Sequence, residues 1–128
     1  MSLSNFSENL LLDWLLTAGA ATRPTTWFLA LHTGDPGETG ANEIAATDYA
    51  RQAIAMGAAA SGASISTDSQ AFTTTDVGEI TINYVTIWDD DGTPAGNCLF
   101  SGAMTVPRQF SQAKPLTFAA GDIVCALD

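Results

Sequence analysis

Between Glu79 and Gly92 the chain reads EITINYVTIWDDDG. Apolar and polar residues alternate with period two, and β-branched and aromatic side chains dominate, which is the pattern of a half-buried β-strand. The alternation puts Ile80, Ile82, Tyr84, Thr86 and Trp88 on one face and Val85 and Ile87 on the other. Asp89-Asp90-Asp91-Gly92 then closes the strand as a turn, because Asp and Gly supply the backbone geometry a tight turn requires.

On either side of this strand the same period continues. Downstream, NCLFSGAMTV (Asn97 to Val106) is the expected antiparallel partner, and PRQFSQAKP is a loop bounded by Pro107 and Pro115. LTF (Leu116 to Phe118), a turn at Ala119-Ala120-Gly121-Asp122, and IVCALD (Ile123 to Asp128) predict a closing hairpin. Upstream, WFLALHT (Trp27 to Thr33) is a second strong strand, with Trp27, Leu29 and Leu31 on one face and Phe28, Ala30 and His32 on the other. GDPGETG (Gly34 to Gly40) follows as a turn. DYARQAIAM (Asp48 to Met56) reads as a strand, a short one is expected around Ile65, and QAFTTTDVG (Gln70 to Gly78) contributes Phe72 before a bend.

One helix is predicted, over residues 1–17. Phe6, Leu10, Leu11, Trp14 and Leu15 recur at helical spacing, Ser4 caps the N-terminus, and Glu8 lies where the helix dipole favours an anion. Leu12 and Leu16 widen the apolar arc beyond one stripe, so the helix calls for cover on more than one side. Ala18 to Pro24 ends it. Several short strands with a turn signal about every ten residues, and no βαβ alternation, predict an all-β antiparallel β-sandwich, jelly-roll-like, with one N-terminal α-helix. The chain reads as a single domain over 1–128, with the sandwich over 27–128.

Composition narrows the function. The 128 residues are 46% hydrophobic and only 14% charged, which excludes a charge-rich disordered chain. Fourteen acidic residues face four basic ones (Arg23, Arg51, Arg108, Lys114), a formal charge of −10. Such a chain repels a phosphate backbone and an anionic membrane surface alike, so neither nucleic acid nor membrane is an expected partner. The N-terminus does not read as a signal peptide, since it lacks a basic region and Glu8 and Asp13 interrupt it. No apolar run approaches the roughly 20 residues of a membrane span. Cys98 and Cys125 each sit in an apolar run and are expected as buried free thiols rather than a disulfide.

The residues able to carry chemistry do not assemble into a site on paper. His32 and Asp35 lie three apart across a strand end, but no serine stands in a nucleophile-elbow context, so the strand-and-turn reading is preferred. Counting from Asp89, the twelfth position of an EF-hand loop is Phe100 where a glutamate is needed; calcium held by Asp89–Asp91 and another carboxylate stays open. Asp76, Glu79 and Asp122 are not paired by anything in the sequence for glycoside hydrolysis. No catalytic, metal-ligating or cofactor-binding residue is assigned. Arg51 is expected to pair with an acid on a neighbouring strand. Arg108 and Phe110, an arginine and an aromatic in one loop, and the helix face Phe6, Leu10, Trp14 are the expected interface residues.

The order of these segments resembles a known family. An LSNFSENLLLDWLL helix leads to FLALHTGDPGETG, then DYARQAI, a Ser/Ala/Thr-rich stretch, an ITINYVTIWD strand and a closing LTFAAGDIVCALD. This is similar to the small virion proteins of tailed bacteriophages, labelled tail fibre proteins and in some phages thought to decorate the capsid. His32 stands where relatives often carry an aromatic residue. The resemblance implies a non-enzymatic virion structural protein made in a bacterial cytoplasm. The first expectation is a capsid cement or decoration protein, a homotrimer on the outer surface that binds the major capsid protein lattice. The alternative is a tail fibre or tail-tip subunit joined to other tail proteins and involved in host attachment. A small glycan hydrolase is the weakest reading.

Overall fold

In the computed structural model, which describes residues 1–92 and 96–127, the chain runs β1 (Ser2–Leu3), α1 (Asn5–Leu16), β2 (Phe28–His32), β3 (Gln52–Ala53), β4 (Ala63–Ile65), β5 (Gln70–Phe72), β6 (Ile80–Trp88), β7 (Cys98–Phe110), β8 (Leu116–Phe118) and β9 (Val124–Ala126). Residues 93–95 and Asp128, which the expected sandwich included, lie outside the described residues. The class is the predicted one, antiparallel β with an N-terminal helix.

The alternating stretch becomes β6, the middle strand of a five-stranded sheet of order β1-β7-β6-β2-β3. Two ribbons, β4 with β9 and β5 with β8, supply the opposing layer. Phe72, Leu116, Phe118, Ile123 and Cys125 from that layer meet Leu29, Leu31, Ile82, Val85 and Ile87 of the sheet in one core cluster. The pairing is nested: β4–β9 encloses β5–β8, which encloses the β6–β7 hairpin. The expected closing hairpin is therefore corrected. The Ala119–Asp122 turn forms, with Asp122 N–H donating to Ala119 O, but β8 and β9 separate to pair with β5 and β4.

A second correction concerns the faces of β6. Ile82 pairs with Arg108 and Tyr84 with Ala103, so Met104 to Pro107 of β7 stand opposite Asn83 alone. Such a bulge re-aims the chain, and a one-residue slip moves side chains to the other face. Ile82 before the bulge and Val85 and Ile87 after it consequently share the core, while Trp88 joins Ala30 and Cys98 on the opposite face. The predicted common face of Ile80 to Trp88 is broken at Asn83. β2 has no such slip, and its predicted alternation holds: Leu29 and Leu31 in the core, Ala30 and His32 buried on the other side.

The PRQF segment is not a loop. β7 runs through Pro107 to Phe110, and Phe110, paired with Ile80, is fully buried in the core. Pro107 is tolerated because it lies in the bulge, where no ladder hydrogen bond is required of it. The strand expected over Asp48 to Met56 shrinks to Gln52–Ala53. β1 was not foreseen.

β1 and Ser4 pin the helix. Ser2 and Leu3 pair with Ser101 and Phe100, Ser4 N–H donates to Leu99 O at 3.0 Å, and the Ser4 hydroxyl donates to Cys98 O at 2.5 Å. Its oxygen also accepts from Ser7 N–H at 3.3 Å, the predicted N-cap. Beyond this anchored end α1 is left uncovered, and Ser7 is its only buried residue.

Candidate functional site

Two regions compete for a functional reading, one polar and closed, one apolar and open. The polar one surrounds His32, which is completely buried. Its Nδ1 lies 2.8 Å from Ala41 O, and a carbonyl only accepts, so Nδ1 carries the proton and donates. Its Nε2 lies 2.7 Å from Thr86 Oγ1, which already accepts from Trp88 Nε1–H at 2.7 Å. Burial holds the His32 pKa below its ordinary value of 6.5, against the opposing pull of the Ala41 carbonyl and Glu43. In the neutral ring that burial favours, Nε2 accepts and the threonine hydroxyl is its donor.

Arg51 seals this region. Its Nε and Nη2 donate to the two oxygens of Glu43 at 2.9 and 2.7 Å, its Nη1 donates to Asp90 O at 3.1 Å, and its guanidinium lies 3.7 Å above the Trp88 ring. Glu43 also accepts from the Tyr49 hydroxyl, which itself accepts from Leu31 N–H at 3.0 Å. Burial raises the Tyr49 pKa and keeps its proton on for that donation. Arg51 thus has an acidic partner, but Glu43 lies eight residues before it in the same segment between β2 and β3 rather than on a neighbouring strand. Gly40, at φ +73°, packs against the indole, and a Cβ there would collide with Trp88.

The other carboxylates tie turns. Asp35 accepts from Gly37 N–H, and the His32 nitrogens bond to Ala41 O and Thr86 Oγ1 instead of to its carboxylate. Asp89 accepts from the backbone and side chain of Asn97, and Asp90 accepts from Gly92 N–H. Asp76 binds Thr47, which lowers its pKa; Glu79 pairs with Lys114; Asp122 accepts from Ala119 N–H. Among the described residues no cluster of histidine, cysteine or acidic side chains is arranged to hold a metal ion. Cys98 and Cys125 are free and buried, and burial pushes both thiols up to about 11, away from reactivity.

The open region is the α1 face. Of the expected interface residues, Leu10 is half-buried, Phe6 is 39% exposed and Trp14 is 68% exposed. Leu12, Leu15 and Leu16 are also exposed. Leu10, Leu11 and Trp14 overhang a groove of 480 Å³ whose floor is Trp27, Leu99, Phe100 and Leu127. A second hollow of 410 Å³, reaching Met56 and Ala63, shares those four floor residues, so the apolar surface is continuous. The sequence reading named the helix side of this surface and missed the floor. Trp27 at the head of β2 carried a signal, since a tryptophan beside the small residues of AGAATRP has little to pack against locally.

The remaining two expected residues are not brought to this face. Arg108 donates to Thr117 O at 3.0 Å and lies 5.5 Å from the Phe118 ring, exposed at the β7 end. Phe110, two residues on, is in the core, so its ring is not available to a partner.

Comparison with curated proteins finds no match. Over residues 2–126 the chain matches the family described as Podophage GP4 fiber I protein gp80. A match across nearly every residue, on a fold whose exposed apolar helix suits assembly, places the chain in that family: it belongs with the phage fibre proteins and is a structural protein of the virion.

Proposed function

We propose that the protein is a non-enzymatic fibre component of the virion tail that works by docking. The observation carrying this is the contrast between an imidazole whose nitrogens are both engaged inside the chain and an apolar helix-and-groove face that the chain leaves open. Exposed apolar surface of this extent marks an interaction site. The fibre in the family description moves the tail reading ahead of the capsid-cement reading that the sequence had put first.

The cement reading keeps one observation in its favour. The sheet and its two ribbons form one compact unit around a single main core, and a compact unit suits a repeated lattice. Particles lacking the protein separate the two. Heads of normal heat stability with failed adsorption are the expected result. Genome release at a lower temperature, with adsorption intact, would replace the fibre reading with cement.

A further inference from the structure

The chain's charge is unevenly distributed. Residues 1–27 hold Glu8, Asp13 and Arg23, so of the formal −10 they carry a net −1. Glu38 adds one more acid, but at the anchored N-terminal end of α1, where it accepts from Asn5 N–H. The rest of the face, built with Leu99, Phe100 and Leu127, is where a second acidic copy meets little like-charge repulsion, whereas a basic partner is drawn to the other surfaces. The three charges there are also unmatched. Among the described residues the side chains of Glu8, Asp13 and Arg23 form no ion pair, while Arg51 and Lys114 each hold a carboxylate.

The face has both a ridge and a groove. Leu12, Trp14, Leu15 and Leu16, each more than half exposed, form the free end of α1, while Arg23 lines the groove beside it. A buried tryptophan contributes about 150–250 Å² of contact, so these four side chains offer on the order of 500 Å²; a standard interface takes about 800 Å² from each partner. The groove lining supplies the remainder.

We infer that this face binds a second copy of the same chain: the free end of α1 enters the neighbour's groove, and Arg23 of one copy meets Asp13 or Glu8 of the other. The inference rests on the docking reading above and names the partner. A ridge entering a groove joins two different patches, so the contact is reciprocal in a dimer and cyclic in a trimer.

Light scattering and sedimentation of the purified chain test it. The wild type is expected at a mass of two or three chains at about 100 µM. Leu16→Glu, at a position that touches little in the single chain, should weaken association at least about tenfold with the circular dichroism spectrum unchanged. Arg23→Glu should weaken it too, and Asp13→Arg with Glu8→Arg in that background should restore it. A wild type that stays monomeric, or a mass indifferent to Leu16→Glu, overturns the inference. Either result leaves the fibre reading standing, because that reading is decided by adsorption of particles lacking the protein.

Discussion

Trp88 and Trp14 are two tryptophans with opposite fates. Trp88 lies under Arg51, over Gly40, and donates to Thr86; Trp14 stands 68% exposed at the end of a helix that the described residues leave largely open. The first is part of a region completed within one chain, where every hydrogen-bonding position named above is filled. The second stands on a surface that the described residues leave open. The difference teaches where to look for function in a structural protein: a satisfied polar cluster gives a fold its rigidity, and an unsatisfied apolar one gives it partners.

The largest expected effect lies in the closed region. Arg51→Ala leaves Glu43 partly buried without its cation and strips the cover from Trp88. Removing one partner of a buried pair costs about 3–5 kcal/mol, and since the Glu43 side chain keeps 22% exposure the lower end is expected, read as a shift of the urea midpoint. A loss under about 1 kcal/mol, the range of a surface pair, would show that the cluster is not closed.

Gly40→Ala should come next, at about 2–3 kcal/mol, combining the strain of an L side chain at φ +73° with displacement of the indole. Indole fluorescence should report the same event, since Trp88 must move. Stability loss without any change in emission would argue that Trp88 is not the group displaced.

Both effects trace to what the sequence did and did not reveal. β2 was legible because its alternation runs unbroken from Leu29 to His32. β6 was legible as a strand but not in its faces, because the three-residue excess in β7 is invisible until the two strands are laid together. Phe110 was misplaced for the same reason: prolines at 107 and 115 suggest a loop, and only the bulge explains why a strand tolerates the first. The β4–β9 and β5–β8 pairings are nonlocal, so the short LTF and IVCALD runs looked like each other's partners. The Ser4 cap was readable because its geometry is local. The groove was half readable, since its helix side has a periodicity and its floor is drawn from Trp27 just before β2, from β7 and from the segment after β9.

A smaller effect is expected at His32, where His32→Gln should cost about 1–3 kcal/mol from buried groups left unpaired. Its pH dependence is more informative. The folded pKa is depressed below 6.5, so as pH falls the unfolded chain takes up the proton first. Stability from the neutral ring is intact above about 6.5 and is lost as pH drops below that toward the folded value. The gap between wild type and His32→Gln should therefore narrow from pH 8 to pH 5. A constant gap across that range would mean the ring is not held neutral, and the donor chain from Trp88 through Thr86 would have to be redrawn.

The smallest effect should be Trp14→Ala in the single chain. Truncating a fully buried aromatic costs about 3–5 kcal/mol, but a side chain 68% exposed has most of its surface in water in both folded and unfolded states. The loss at a dilution where the chain is monomeric should fall below about 1 kcal/mol. At high concentration the same variant should melt well below the wild type, because anything that binds only the folded form adds to its stability by mass action. The sharpening lies in that concentration dependence: Trp88→Ala should cost the same at both dilutions, and Trp14→Ala should not. Equal losses at Trp14 across a hundredfold range of concentration would place its indole outside the contact and move the docking surface to another part of the helix.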